Sequence, residues 1–286
     1  ECPMARLSQM FDVLSNVTVD AIIAPYFVSE EILAKQHFKL LKPDDLVLLD
    51  RKYPSFWLFR CILEQGGDFC ARMAIDKWSV LVGNFLKTGL KEQIVEIKPS
   101  WDARKKCQKY GLPATPFKLR LIRIVLDTGE IEVLATSLLD MALYPYALFK
   151  DLYHKRWPVE EQYELFKSRI EIANFTGKSV EAVKQDFHAR VFMSNLTAML
   201  AFPVHAQITE KCKDAKLDYK INWTQALAKM KISGILLFFR KLPIRIIKKL
   251  QSLFLKNISA VRPGRKYPKK PKLIKKSYAF AYKPIS

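Results

Sequence analysis

Hydrophobic positions over the first quarter of the chain come in short runs separated by polar breaks. Residues 5–14 and 17–25 are rich in strand-forming residues, and Ser15-Asn16 between them suits a tight turn, so a β-hairpin is predicted. Ser29-Glu30-Glu31 then opens an amphipathic helix to about Leu41, with an N-cap residue and first-turn acids. Pro43-Asp44-Asp45 breaks it. The continuous run Leu46-Val47-Leu48-Leu49 has the look of a strand buried on both faces, and it ends at Asp50. A second helix is predicted over 55–65, stopped by Gly66-Gly67, and a further strand over 69–74. Strand, helix, strand, helix, strand is an α/β pattern with a parallel element.

The pattern changes between 76 and 145. Residues 94–97, 117–126 and 130–137 alternate like strands, the last two joined through Asp127-Thr128-Gly129, while the intervening 101–115 is polar and basic. A β-rich insertion of antiparallel type is predicted there. Helical periodicity returns from Pro145 to about Ala206, interrupted at Pro158 and Thr176-Gly177, and one more amphipathic helix is predicted over 224–232. Beyond Val261 a Pro- and Lys-rich tail reads as extended. The uncharged stretch 191–209 holds Ser194, Asn195, Thr197, Pro203, His205 and Gln207, which favours a buried core helix over a bilayer span.

Composition narrows the function. With 286 residues, half of them hydrophobic, the chain can build one large domain or two modest ones. Neither G-x-G-x-x-G nor G-x-x-x-x-G-K-[ST] occurs, so the common nucleotide-cradling loops are absent. The five cysteines are scattered and never in C-x-x-C, which points away from a Cys-based zinc module or disulfide scaffold and toward a reducing compartment. The first residues, Glu1-Cys2-Pro3, show neither a basic nor an apolar leader segment, and a chain beginning without Met is expected to be a portion of a longer protein.

The formal net charge is +20, and it is unevenly spread. Residues 219–286 hold 18 Lys or Arg and no acid, whereas the preceding 218 residues hold 30 basic against 28 acidic. A segregated patch of this kind attracts polyanions. In the tail Arg262, Arg265, Lys266, Lys269 and Lys270 alternate with Pro and Tyr, a composition suited to a phosphate backbone rather than to base edges.

Two places carry candidate chemistry. Asp50 stands at the C-terminal end of a buried strand, where open α/β sheets place their active sites, although helix capping or a turn would explain one Asp there equally well. The second is Tyr153, Arg156, Glu160 and Lys167. At 100° per residue their offsets fall within about 60°, so a continuous helix would present all four on one stripe. Such a stripe offers one carboxylate for a metal, two cations for phosphate oxygens and a ring, or else a solvated face with an Arg156/Glu160 pair. Pro158 predicts either a kink or a new helix with Pro158 in its first turn.

The segment from Tyr153 through Arg156-Trp157 and Glu160 to Lys167 closely resembles the Tyr-Arg-Glu-Lys signature of bacterial insertion-sequence transposases of the IS-four group, and Asp50-Arg51-x-Tyr53 resembles that group's second aspartate block. The resemblance implies an α/β, ribonuclease-H-like core. In it an Asp-Asp-Glu triad holds two divalent metals (Mg2+ or Mn2+) that activate an attacking oxygen and stabilise the leaving one at phosphorus. Asp50 would be the second acid and Glu160 the third, both metal ligands, while Tyr153, Arg156 and Lys167 would hold transposon-end DNA. The group's insertion between these acids corresponds to the β-rich stretch. Trp78 or Trp101 could then serve as a wedge against a displaced base, with a core role the simpler expectation for each.

The resemblance also implies residues 1–75 as the first part of the core, 76–145 as the insertion, 146–235 as its helical second part and 236–286 as a basic DNA-binding tail. The expected function is metal-dependent cleavage and strand transfer at insertion-sequence ends in the bacterial cytoplasm, on nucleoid DNA, by a homodimer holding double-stranded transposon ends and target. No membrane partner is expected. No residue matches the group's first aspartate, since Asp12 and Asp20 fall inside the predicted hairpin. The expectation is therefore a truncated chain with its N-terminal core strand missing and little strand-transfer activity. The alternative is a catalytically inactive DNA-binding protein derived from a transposase. A peripheral membrane role for 234–286 is argued against by Pro243, Pro263 and Pro268.

Overall fold

A computed structural model describes residues 5–168, 177, 179–239 and 243–262, with side chains at 165–168 outside that description. The chain forms two compact units, one of residues Ala24–Trp157 and the other of Glu1–Ile23 with Pro158–Ser286. It is an α/β structure, and each unit is described in turn.

The first unit is built on a mixed five-stranded sheet. Helix α1 (Glu30–His37) is capped by the Ser29 hydroxyl and passes into a 3-10 turn at Phe38–Leu40. Strand β3 (Leu46–Leu49) pairs in parallel with β4 (Asp68–Arg72), and helix α2 (Phe56–Glu64) makes the crossover; the hairpin strands that precede them, β1 (Ala5–Asp12) and β2 (Val17–Pro25), belong as far as Ile23 to the second unit. Gly66 ends α2 at φ +77°, the left-handed conformation a side chain resists at a helix C-terminus. Helices α3 (Ser79–Lys87) and α4 (Trp101–Lys109) flank β5 (Glu92–Ile97), and β6 (Phe117–Val125) and β7 (Ile131–Thr136) follow. The order across the sheet is β3-β4-β7-β6-β5, with β7 antiparallel to β4. The strands of the β-rich stretch thus extend the sheet that β3 and β4 begin.

Strand alternation sorts the core into two layers. Leu49, Phe69, Ala71, Leu119, Leu121, Val133 and Ala135 join Phe56, Leu58, Phe59 and Ile62 of α2, with Val82 and Phe85 of α3 and Cys107 of α4. On the opposite face Cys70, Ile122, Ile124 and Leu134 meet Phe149 and Tyr153 of α5 (Leu148–His154). Trp78 is half-buried and packs against this core, its indole N–H donating to the Pro54 carbonyl at 3.3 Å. Trp101, for which a core role was also expected, is instead 68% exposed, because it lies on the outer stripe of α4. Cys61, Cys70, Cys107 and Cys212 are free thiols, and burial pushes Cys61 up to about 11 and Cys70 to about 12.

The second unit contains the hairpin β1 (Ala5–Asp12) and β2 (Val17–Pro25), with Asn16 at φ 58° in the turn. Around it lie α6 (Trp157–Ser168), whose first residue belongs to the other unit, and α7 (Val180–Lys211). Strand β8 (Tyr219–Ile221), helices α8 (Trp223–Ser233), α9 (Leu236–Phe239) and α10 (Pro243–Lys256), and strand β9 (Ile258–Ala260) complete it. By length and composition α7 is apolar enough to cross a membrane. Its Phe187 and Val191 lie in a cluster with Leu7, Ala21 and Ile23 of the hairpin, and its Leu200, Ala201, Val204 and Ile208 meet Met230, Leu250 and Phe254. The Asn195 side-chain amide clamps the hairpin, accepting from the Thr18 N–H and donating to the Thr18 carbonyl, both at 2.8 Å. Helix α10 begins at Pro243, the first helical position, where proline is tolerated, so α9 and α10 are separate helices.

Candidate active site

Strand β3 is only four residues long, and its last residue, Leu49, is buried. The chain turns immediately afterwards, the Tyr53 N–H donating to the Asp50 carbonyl at 3.0 Å. This leaves the Asp50 carboxyl half-buried at the C-terminal end of a parallel pair, followed by exposed Arg51 and Lys52. A carboxylate in that place is the usual way an open α/β sheet presents a catalytic acid.

Helix α5 brings the first half of the Tyr-Arg-Glu-Lys segment to the same strand end. Tyr153 is 7% exposed, and its hydroxyl donates to the Leu49 carbonyl at 3.2 Å, one residue before Asp50. Burial raises the phenol well above its ordinary range; Arg156, which also hydrogen-bonds the hydroxyl, acts against that shift, and Asp50 adds to it. The Arg156 guanidinium lies 5.5 Å from the Tyr153 ring and 5.6 Å from the Trp157 ring. Asp50, Tyr153 and Arg156 therefore form one electrostatic group, an acid and a cation joined through a buried phenol.

The second half of the segment belongs to the other unit. Helix α5 ends at His154, Lys155 and Arg156 form a turn, and α6 begins at Trp157 with Pro158 in its first turn. The new-helix outcome expected from Pro158 is the one observed. The four-residue stripe on a single helix is corrected by it: Tyr153 is on α5, Arg156 is between helices, and Glu160 and Lys167 are on α6. Glu160 is exposed and belongs to the second unit, whereas Asp50, Tyr153 and Arg156 belong to the first. Within the second unit α6 is tied to α7 by Gln162 Nε2 donating to Ser194 Oγ at 2.9 Å, and to β8 by the Glu161–Lys220 ion pair at 3.6 Å. The Lys167 side chain and Arg265, Lys266, Lys269 and Lys270 lie outside the described residues; Arg262, just before them, is exposed.

The Asp50 and Glu160 carboxylates are hard oxygen donors of the kind Mg2+ and Mn2+ take. Among the described residues no group of three His, Cys, Asp or Glu side chains could hold a metal ion. The two-metal set that the resemblance implies is therefore not assembled from these residues alone. Asp12 is occupied otherwise. Burial would raise its carboxyl, but the Ser15 hydroxyl and the Leu14 and Ser15 N–H groups outweigh that and hold it below the ordinary value.

Asp50 closing β3, with Tyr153 docked on that strand and Arg156 beside the phenol, is the part of the candidate site that the first unit holds. Residues 6–196 match the family model described as the transposase DDE domain, and the chain belongs to that family. Over 196 residues it is 26% identical to the transposase InsG for insertion sequence element IS4 of Escherichia coli (strain K12), a match covering 68% of this chain. The chain spans less than half of that relative, 43% of its length.

Proposed function

We infer that this chain acts in DNA transposition, with Asp50 and Glu160 as the second and third acids of an Asp-Asp-Glu set in a ribonuclease-H-like core. The observation that carries this reading is the hydrogen bond from Tyr153 to Leu49, which couples the Tyr-x-x-Arg turn to the strand presenting Asp50. Residues 76–145 are the insertion between the two acids, and the open edge of β3, which pairs with no strand among the described residues, is where a strand bearing the first acid would add. Mg2+ or Mn2+, when bound by Asp50 and Glu160, would supply Lewis-acid stabilisation of charge at phosphorus.

The chain's own residues supply position and charge. Arg156, held by the Tyr153 hydroxyl, offers a forked donor to a phosphate oxygen, and Lys167 offers a point charge further along α6. Tyr153 acts from its buried place by fixing the Arg156 head. The tail, with Arg262, Arg265, Lys266, Lys269 and Lys270, binds the duplex backbone. The partners are transposon-end and target DNA, the working form is a homodimer pairing two ends, and the compartment is the bacterial cytoplasm.

A second reading, an inactive DNA-binding protein derived from a transposase, is favoured by the lack of a three-ligand group among the described residues. The purified chain with Mn2+ and a transposon-end duplex separates the two. With no three-carboxylate group among the described residues, the expected result is salt-sensitive binding, falling steeply between about 50 and 200 mM salt, with little or no strand transfer. A metal-dependent component of binding that disappears in Asp50→Ala and Glu160→Ala supports the active-site assignment; binding that ignores both substitutions supports the second reading. Efficient strand transfer would contradict the expected inactivity.

A further inference from the structure

The largest concentration of charge outside the tail lies on α4 and the residues just before it. Residues 98–109 hold five cations, Lys98, Arg104, Lys105, Lys106 and Lys109, against the single acid Asp102. The first 218 residues as a whole are nearly balanced, so this excess is local. Helical spacing sorts it further. Ala103 and Cys107 turn inward, Cys107 being fully buried, while Trp101, Arg104, Lys105, Gln108 and Lys109 are exposed. At 100° per residue Arg104, Lys105 and Lys109 span about 140°, with Trp101 among them.

The helix is held rigidly against the unit. Trp57 stacks on Tyr110 with ring centroids 5.2 Å apart, the Ser100 hydroxyl caps the Ala103 N–H, and Lys106 is used internally, paired with Glu31 at 3.3 Å and lying over Trp57. The remaining cations are not spent in this way. Among the described residues no carboxylate forms an ion pair with Arg104, Lys105 or Lys109; Lys105 lies 3.5 Å from the Trp101 ring centroid, and Lys109 lies 5.6 Å from that of Tyr110. Packed like charges on one stripe repel one another, a cost that an anionic partner removes.

We propose that the outer stripe of α4 is a docking surface for the phosphate backbone of duplex DNA, with Arg104, Lys105 and Lys109 as the phosphate contacts. The stripe is long enough to meet more than one phosphate, since the five residues from Arg104 to Lys109 rise about 7.5 Å along the helix. The partner is a polyanion rather than a lipid surface, because apart from Trp101 the stripe exposes no apolar side chain that could enter a bilayer. This deepens the DNA-binding reading without using Asp50 or Glu160, and it makes the 76–145 stretch a DNA-binding element in its own right.

The test uses the full chain and a random-sequence duplex in EDTA, so that metal chemistry plays no part. Acetylation of lysines with and without DNA, read by mass spectrometry, is expected to show Lys105 and Lys109 protected at least about threefold while Lys213, ion-paired to Glu210 in the other unit, is unchanged. The R104Q/K105Q/K109Q variant is expected to lower the slope of log K against log salt by about 2.7, at about 0.9 per phosphate contact, and R104K/K105R/K109R to restore it. Unchanged reactivity at Lys105 and Lys109, or an unchanged slope in the glutamine variant with its melting temperature preserved, would overturn the proposal. If slope and protection change as expected while Asp50→Ala and Glu160→Ala leave metal-dependent binding intact, this surface stands and the active-site assignment falls.

Discussion

Replacing Glu92 by alanine is expected to destabilise the protein by about 3 kcal/mol, near the low end of the range for breaking a buried ion pair by removing one partner. Arg120 is 0% exposed in the middle of β6, and its guanidinium is satisfied from two sides. Nε donates to Glu92 at 3.0 Å, Nη2 donates to the same carboxylate oxygen, and Nη1 donates to the Tyr144 carbonyl at 2.7 Å. The Phe149 ring lies 5.0 Å from the guanidinium carbon. Without Glu92 a full charge stays in the core with one neutral acceptor. Because Glu92 is itself partly exposed, the penalty comes from the stranded arginine rather than from the lost carboxylate. Replacing both partners with apolar residues, R120M with E92V, is expected to recover most of the loss. Urea denaturation of the three proteins measures both effects, and a loss below about 1 kcal/mol in Glu92→Ala would contradict the account. The functional link is short: Tyr144 lies in the segment leading into α5, whose Tyr153 holds the strand end at Asp50.

Phe59→Ala is expected to cost about 3–5 kcal/mol, the range for emptying a buried aromatic site. Phe59 is fully buried on the sheet side of α2 and stacks on Phe69 of β4, with centroids 4.1 Å apart and planes within 6°. Trp78 lies on the same ring at 6.5 Å, so the space left cannot close without moving α2, β4 and the segment before α3 together. Typical domains are stable by only about 5–15 kcal/mol, so this one change removes a large share. Phe59→Leu is expected to lose less than about half as much, since it keeps most of the volume. A Phe59→Ala loss under about 1.5 kcal/mol in the same denaturation experiment would show that the crossover helix is not packed as described.

Strong local signals carried most of the elements. The hairpin, α1 with its Ser29 cap, β3, α2 with its glycine stop, and β4 to β7 were legible because period and punctuation agreed, whereas the three-residue strands β8 and β9 were too short to show a period. Helices α3, α4 and α10 were not. In α3 two of the apolar residues, Val80 and Val82, are β-branched beside Gly83, and Trp78 at the N-cap gives the helix no capping hydrogen bond. Only two residues of α4 turn inward, too few to set a period, though Ser100, Asp102 and the late lysines are the marks of a capped helix. For α10, proline was weighed as a breaker when its position made it a starter.

The site was half legible. Asp50 at a strand end followed from the apolar run, and the helix start at Pro158 followed from proline chemistry. The buried hydroxyl of Tyr153 did not, because a polar group donating to a main-chain carbonyl 104 residues earlier leaves no local pattern. The burial of Arg120 was equally silent, since an arginine in a strand ordinarily reads as an outward face.

The most direct measurement is hydroxyl-radical cleavage of the backbone by Fe2+ and ascorbate, with Mg2+ as competitor, since the iron cuts only the chain segments beside which it binds. The account predicts two sets of cuts, one next to Asp50 and one next to Glu160, both suppressed by Mg2+ and both lost in either Asp50→Ala or Glu160→Ala. Cuts at one position that survive removal of the other acid, or no Mg2+-sensitive cuts at either, would contradict it.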